Sequence, residues 1–180
     1  ERVKLHLLSA LRNDRLPHAY LFVGNEGVGK DAAALELAKV LHCEGGNEQA
    51  CDACPSCIRV NTLQHPDVKL VVALPVGKGE KSDDPPLEKL SQAEIQTIQE
   101  QYRLKGENPY HRISIPKATI IKINSIRDVR RESSLSTLGR RKRVIIISRA
   151  DEMGDAASNT LLKTLEEPSS NTMLILTTAH

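Results

Sequence analysis

Two clusters of residues have types and spacings suited to chemistry, and both lie in the first third of the chain. The first is Gly24-Asn25-Glu26-Gly27-Val28-Gly29-Lys30-Asp31, directly after the apolar run Tyr20-Leu21-Phe22-Val23. Glycine, four residues, glycine and lysine is the spacing of a phosphate-binding loop. In such a loop backbone N–H groups turn inward at a helix N-terminus and the lysine reaches the terminal phosphates. The pattern continues with a serine or threonine whose hydroxyl holds Mg²⁺, and Asp31 stands in that place. A carboxylate about 4 Å from a phosphate costs on the order of 4 kcal/mol at an effective dielectric of about 20, roughly three decades of affinity. An acid in the first turn also stabilises a helix by about 0.3–1 kcal/mol, and Asp31 is placed to neutralise Lys30. The loop is expected to keep its shape, with hydrolysis lost and ATP binding compromised.

The second cluster is Cys43, Cys51, Cys54 and Cys57, which are all four cysteines of the chain. Gaps of two residues point thiolates at one centre, and bridges across such short gaps are strained. A structural zinc held by all four cysteines is the reading. An iron–sulfur cluster competes, because C-x2-C-x2-C also opens the bacterial ferredoxin run, although no C-P follows here. His65, in His65-Pro66-Asp67, reads as a turn histidine rather than a fifth ligand.

These clusters need a scaffold. Val3, Leu7, Leu8 and Leu11 recur at helical spacing before Pro17, so an amphipathic helix opens the chain. Apolar runs at 20–23, 68–73, 144–148 and 173–177 read as strands, and an alanine-rich helix runs from Asp31 to about Leu41. Val144-Ile145-Ile146-Ile147 is β-branched without polar alternation, which places it at the centre of a parallel sheet. In a phosphate-loop ATPase two acids follow that strand directly. Here Ser148 and Arg149 do, and Asp151 and Glu152 come three residues late, in the approach to a helix over 155–166. Residues 75–118, rich in Pro, Gly and charge, read as a surface insertion carrying one helix closed by Gly106 and the Asn108-Pro109 turn. Ile120 to Ile123 suggest an extended segment, and Ser125 to Asp128 resemble a capping box opening a helix to about Leu138. Arg140-Arg141-Lys142-Arg143 reads as a solvated basic turn, with contact to DNA phosphate as the competing reading.

The net charge of +2 and the scarcity of aromatics leave no global signal for nucleic acid. There is no apolar run near 18 residues and no signal-peptide start, so the chain is expected to be cytoplasmic. Glu1 at the start and Thr177-Thr178-Ala179-His180 after an apolar run suggest that both ends are cut.

Several stretches together resemble a known family. They are His18-Ala19-Tyr20-Leu21-Phe22-Val23-Gly24, the cysteine cluster directly after the loop helix, His65-Pro66-Asp67, and Ser158-Asn159-Thr160-Leu161-Leu162-Lys163-Thr164-Leu165-Glu166-Glu167-Pro168. The chain resembles the AAA+ subunits of the bacterial DNA polymerase III clamp loader, apart from residues 75–118. The resemblance implies a RecA-like AAA+ α/β fold over residues 1–180, with a zinc module at 43–57 and strand order 5-1-4-3-2. The fifth strand and a Ser-Arg-Cys motif are expected beyond His180. The working ATPase subunits, gamma and tau, carry a threonine after the loop lysine and an Asp-Glu pair after the central strand. Departing at both places, the chain resembles the non-catalytic, stator-type member. Implied partners are gamma/tau and delta in a hetero-pentamer, and primed DNA through the complex, with no membrane. The alternative is a gamma/tau-type ATPase in which Asp31 holds Mg²⁺ and Asp151 or Glu152 activates water. A zinc-dependent nucleic-acid binding module is a third reading.

Overall fold

The computed structural model describes residues 2–46, 48–134 and 142–179. Its elements are α1 (Arg2–Arg12), β1 (Ala19–Val23), α2 (Lys30–His42), α3 (Pro55–Asn61), β2 (Val68–Val71), α4 (Gln92–Glu107), α5 (Ile123–Ser133), β3 (Arg143–Ile147), a 3-10 turn (Ala150–Glu152), α6 (Asp155–Glu166) and β4 (Thr172–Thr178). The strands form one parallel sheet in the order β1-β4-β3-β2, with Ile145 opposite Leu174 on one side and Lys69 on the other. All of β3 is buried, as its unbroken β-branched run requires of a strand covered on both faces. Val144 and Ile146 pack on one face with Ala34, Ala38, Val60 and Ile98. Ile145 and Ile147 pack on the other with Ile126, Val129, Ala157 and Leu161. Ala34 and Ala38 are fully buried, which lets the α2 backbone lie close against the sheet. The fold is the expected parallel α/β sheet flanked by helices, with strands in the order 1-4-3-2. Because the strands are parallel, their C-terminal ends meet on one edge, where a ligand site belongs.

The four predicted strands are all present, and α6 has the predicted bounds. Other expectations change. Val72 and Ala73 are buried but lie past the β2 ladder. The extended reading of Ile120 to Ile123 reduces to one bridge, Ile121 with Met153. The helix after it starts two residues before Ser125, with Lys122 at its N-cap, so Ser125 is a buried first-turn residue and not a cap. The far end of that helix, and Arg140 and Arg141, lie outside the described residues. In α1, Val3 and Leu5 are more than half exposed, while Leu7 packs against the core. The short helix α3 is additional. It is seeded by Cys54, whose Sγ accepts the Cys57 N–H, and by Pro55, whose fixed φ suits the first helical turn.

Residues 75–118 are mostly exposed, but Leu90, Ile98, Ile113 and Ile115 are buried in the core cluster, and two polar features also hold the segment. Ser91 and Glu94 form a reciprocal capping box at the start of α4, with the Ser91 N–H donating to Glu94 at 2.8 Å. Ser91→Ala is expected to lower stability by about 1 kcal/mol, read as a shift in denaturant midpoint with unchanged slope. The other anchor is a buried ion pair between Glu80 and Lys122 at 2.7 Å.

Candidate functional site

Gly24 follows β1, Ser148 follows β3, and Thr177 lies near the end of β4, so the sheet brings the loop and both strand ends to one edge. Gly27 and Gly29 have φ of 78° and 87°, a left-handed backbone that turns the loop into α2. Asp31, in the first turn of α2, accepts hydrogen bonds from Ser148 Oγ at 2.7 Å and from Thr177 Oγ1 at 2.7 Å. Its third partner is the Lys105 ammonium at 3.3 Å, donated by α4. Lys30 does not pair with Asp31, contrary to expectation. Consecutive residues at a helix start do not face each other, and Lys30 Nζ instead folds back to donate to the carbonyls of Gly24 and Asn25 at 2.6 and 2.8 Å. The residue in the hydroxyl position thus binds the residue where an ATPase carries its first acid.

A strap from the 75–118 segment crosses this edge. The Tyr110 ring lies so close to Gly29 that a Cβ there would sit 2.8 Å from the ring. Arg112 pairs with Glu26 at 2.8 Å, and the Arg149 guanidinium donates to the Ile113 carbonyl at 3.2 Å. A cavity of about 420 Å³ remains between loop, strap and strand ends, lined by Lys30, Asp31, Ser148, Arg149, Asp151 and Glu152 among others. The two late acids are therefore on the rim of the site, held in the 3-10 turn. Asp151 accepts from Thr178 Oγ1 at 2.7 Å, and Glu152 pairs with Arg149 at 3.3 Å. Burial raises the Glu152 carboxyl above its ordinary range, against the pull of Arg149. Arg149 itself adopts a left-handed φ of 54°, which turns its N–H onto Thr177 Oγ1 at 3.1 Å. Sequence reasoning missed Lys105, Tyr110, Arg112 and Thr177. Of these only Thr177 had a signal, as a polar residue at the end of a strand predicted beside the loop.

The second cluster assembles as its spacing implies. The Sγ atoms of Cys43, Cys51, Cys54 and Cys57 all lie within 4.8 Å of one another, with Cys51 and Cys57 3.9 Å apart. A tetrahedral ion with bonds of about 2.3 Å sets its sulfurs about 3.8 Å apart, so the four residues could hold one. Backbone N–H groups already point at the sulfurs: Cys51 at Cys43, Cys54 at Cys51, and Glu44 and Cys57 at Cys54, at 3.3–3.5 Å. Those from Glu44 and Cys57 hold the Cys54 thiol down to about 6, whereas burial pushes Cys57 up to about 12. Glu44 braces the start of α3 by accepting from Ser56 N and Oγ, and Lys39 clamps Asp52 at 2.6 Å. His65 is outside the group. Its Nδ1 accepts the Asp67 N–H at 3.1 Å, and its ring stacks tilted on His42, so it is the turn histidine expected.

No helix among the described residues is long and apolar enough to cross a membrane. The family model described as DNA polymerase III, delta subunit, matches residues 1–180. The chain is 34% identical over 177 residues to DNA polymerase III subunit delta' of Bacillus subtilis, covering 98% of this chain and 41% of that protein. It is 26% identical over 181 residues to DNA polymerase III subunit tau of Bacillus subtilis, covering 100% of this chain and 24% of tau. Subunit delta' of Haemophilus influenzae is 23% identical over 159 residues, 88% of this chain and 36% of that one. A solved structure of a gamma subunit-related protein from Thermotoga maritima is similar at 14% identity and a TM-score of 0.43, over 96% of this chain and 39% of that one. The chain spans about two fifths of the length of the Bacillus subtilis delta' it matches. A family match along its whole length, with delta' among its relatives, means that the chain belongs to the DNA polymerase III delta subunit family and is delta'-like within it.

Proposed function

We propose that the chain is part of a non-hydrolysing, stator-type subunit of the DNA polymerase III clamp loader, which takes part in placing the sliding clamp on primed DNA. Its partners in this reading are gamma/tau and delta in a hetero-pentamer, its compartment is the cytoplasm, and the cysteine cluster holds a structural zinc. One observation carries the reading. Asp31 occupies the place of the Mg²⁺-binding hydroxyl and is tied to Ser148 and Thr177, so the position of the first strand-end acid is filled by a neutral donor. Phosphoryl transfer needs that metal shell and a placed water, and neither acid in the 3-10 turn replaces it: Asp151 is engaged by Thr178 and Glu152 by Arg149. The zinc would be bound by Cys43, Cys51, Cys54 and Cys57, would pin the end of α2 to α3, and would have no open position for a substrate.

The purified full-length protein is expected to show no ATP turnover above background, and Asp31→Thr alone is expected not to restore it, because Ser148 still stands where the acid is needed. Turnover that disappears with Lys30→Ala would contradict the reading. Failure to co-purify with gamma/tau and delta subunits from the same organism would contradict its partner half.

A further inference from the structure

Part of what surrounds the phosphate loop is brought to it by the chain itself, from α4 and the strap that follows. Lys105 leaves α4 with its side chain only 3% exposed and places its ammonium against Asp31 Oδ2, 74 residues earlier in sequence. The same ammonium donates to the His111 carbonyl at 2.8 Å, which ties the helix to the strap that follows. The strap is held from below by Gln101, whose Oε1 accepts the Ser114 N–H at 2.9 Å and meets the His111 ring at 3.1 Å. From above, Tyr110 lies on Gly29, Arg112 on Glu26, and Arg149 on the Ile113 carbonyl. Lys30 directs its ammonium onto two loop carbonyls. A half-buried carboxylate among hydroxyls calls for a cation, and Lys105 supplies it.

We infer that residues 105–113 are the resident ligand of this chain's own phosphate loop: Lys105 supplies the positive charge at Asp31 that a bound metal would otherwise supply, and Tyr110 with Arg112 covers the loop. The loop then keeps one conformation without nucleotide, and the strap narrows the approach to the cavity beside it. This rests on the proposed non-hydrolysing reading of the same site, but concerns occupancy and not turnover.

Hydrogen–deuterium exchange on the full-length protein tests it, with Mg²⁺ and ADP as the added probe. In the wild-type protein, peptides covering residues 24–34 exchange slowly and are unaffected by ADP. Tyr110→Ser/Arg112→Ser, which changes two exposed side chains and retains Lys30 and Lys105, speeds exchange of those peptides by about tenfold or more, while the β3 peptide is unchanged. ADP then slows the loop again in this double variant. Lys105→Met speeds the same peptides without making them responsive to ADP, because Asp31 is left uncompensated. Should Lys105→Met fail to fold, the double variant decides alone. Loop exchange in the double variant equal to wild type overturns the inference. So does protection of the wild-type loop by ADP, which without turnover would leave the non-hydrolysing reading standing.

Discussion

Chelation of the reduced, purified protein is expected to release one zinc and four reactive thiols together, and to melt residues 43–61 while the sheet stays folded. The size of the effect follows from what holds the segment. The helix α3 has seven residues, too few to persist alone in water. Its start is built on two of the sulfurs, with Cys54 at the N-cap and Cys57 fully buried in the first turn. Structural zinc contributes on the order of 10 kcal/mol in small peptides, several times what any single hydrogen bond of the segment contributes. The sheet is spared because, of the described residues in 43–61, only Val60 joins the buried cluster beneath it. Affinity is expected to fall as pH falls, since protons compete for every sulfur. Burial pushes the Cys57 thiol up, so its deprotonation leans on the charge of the metal. Cys57→Ser is expected to abolish stoichiometric binding and to expose α3 to hydrogen exchange. Stoichiometric iron, or protein with reduced thiols holding well under one equivalent of zinc, would refute the assignment.

What the sequence made legible divides by range. The run Val144 to Ile147 announced a central strand because four successive β-branched residues are apolar toward both faces. The cysteine cluster was legible because its thiols are close in sequence and short turns bring them together. Asp31 was legible as a substitution, but its partners were not. Ser148 lies 117 residues away, Thr177 146 and Lys105 74. The first two follow once the strand order is known, since parallel strands gather their C-terminal ends. Lys105 does not follow from any pattern: a lysine beside Gly106 at the end of an amphipathic helix reads as a solvated cation, and only packing makes it buried. The same applies to the 75–118 segment as a whole. Its composition is that of an exposed loop, yet Leu90, Ile98, Ile113 and Ile115 reach the core and a buried Glu80–Lys122 pair anchors its first part.

That anchor carries the other large expected effect. Severing the Glu80–Lys122 pair from one side should cost about 3–5 kcal/mol, because the remaining charge is left buried. The two side chains are 5% and 6% exposed. Lys122 Nζ also donates to the carbonyls of Pro75 and Pro86 at 2.9 and 3.0 Å, so one ammonium gathers both ends of the 75–86 loop onto the start of α5. Glu80 in turn accepts from the Gly77 N–H at 2.6 Å and from Asn124. Lys122→Met should be worse than Glu80→Gln, since it removes the common donor and leaves a carboxylate facing two backbone carbonyls. The double variant should recover part of the loss, because no lone charge remains. Denaturant midpoints of the four proteins, metal-loaded throughout, measure the coupling directly. Single-variant losses that simply add in the double variant would show that the pair is not coupled. The pH dependence has a definite sign. Burial opposes ionisation of Glu80, but hydrogen bonds from Lys122, Gly77 and Asn124 outweigh it and hold the carboxyl below its ordinary value of 4.5. A group depressed on folding contributes stability that is fully present above its unfolded value and lost as pH falls through the folded one. The wild-type protein should therefore lose stability on acidification below about pH 4.5 more steeply than Glu80→Gln, whose amide has no proton to gain.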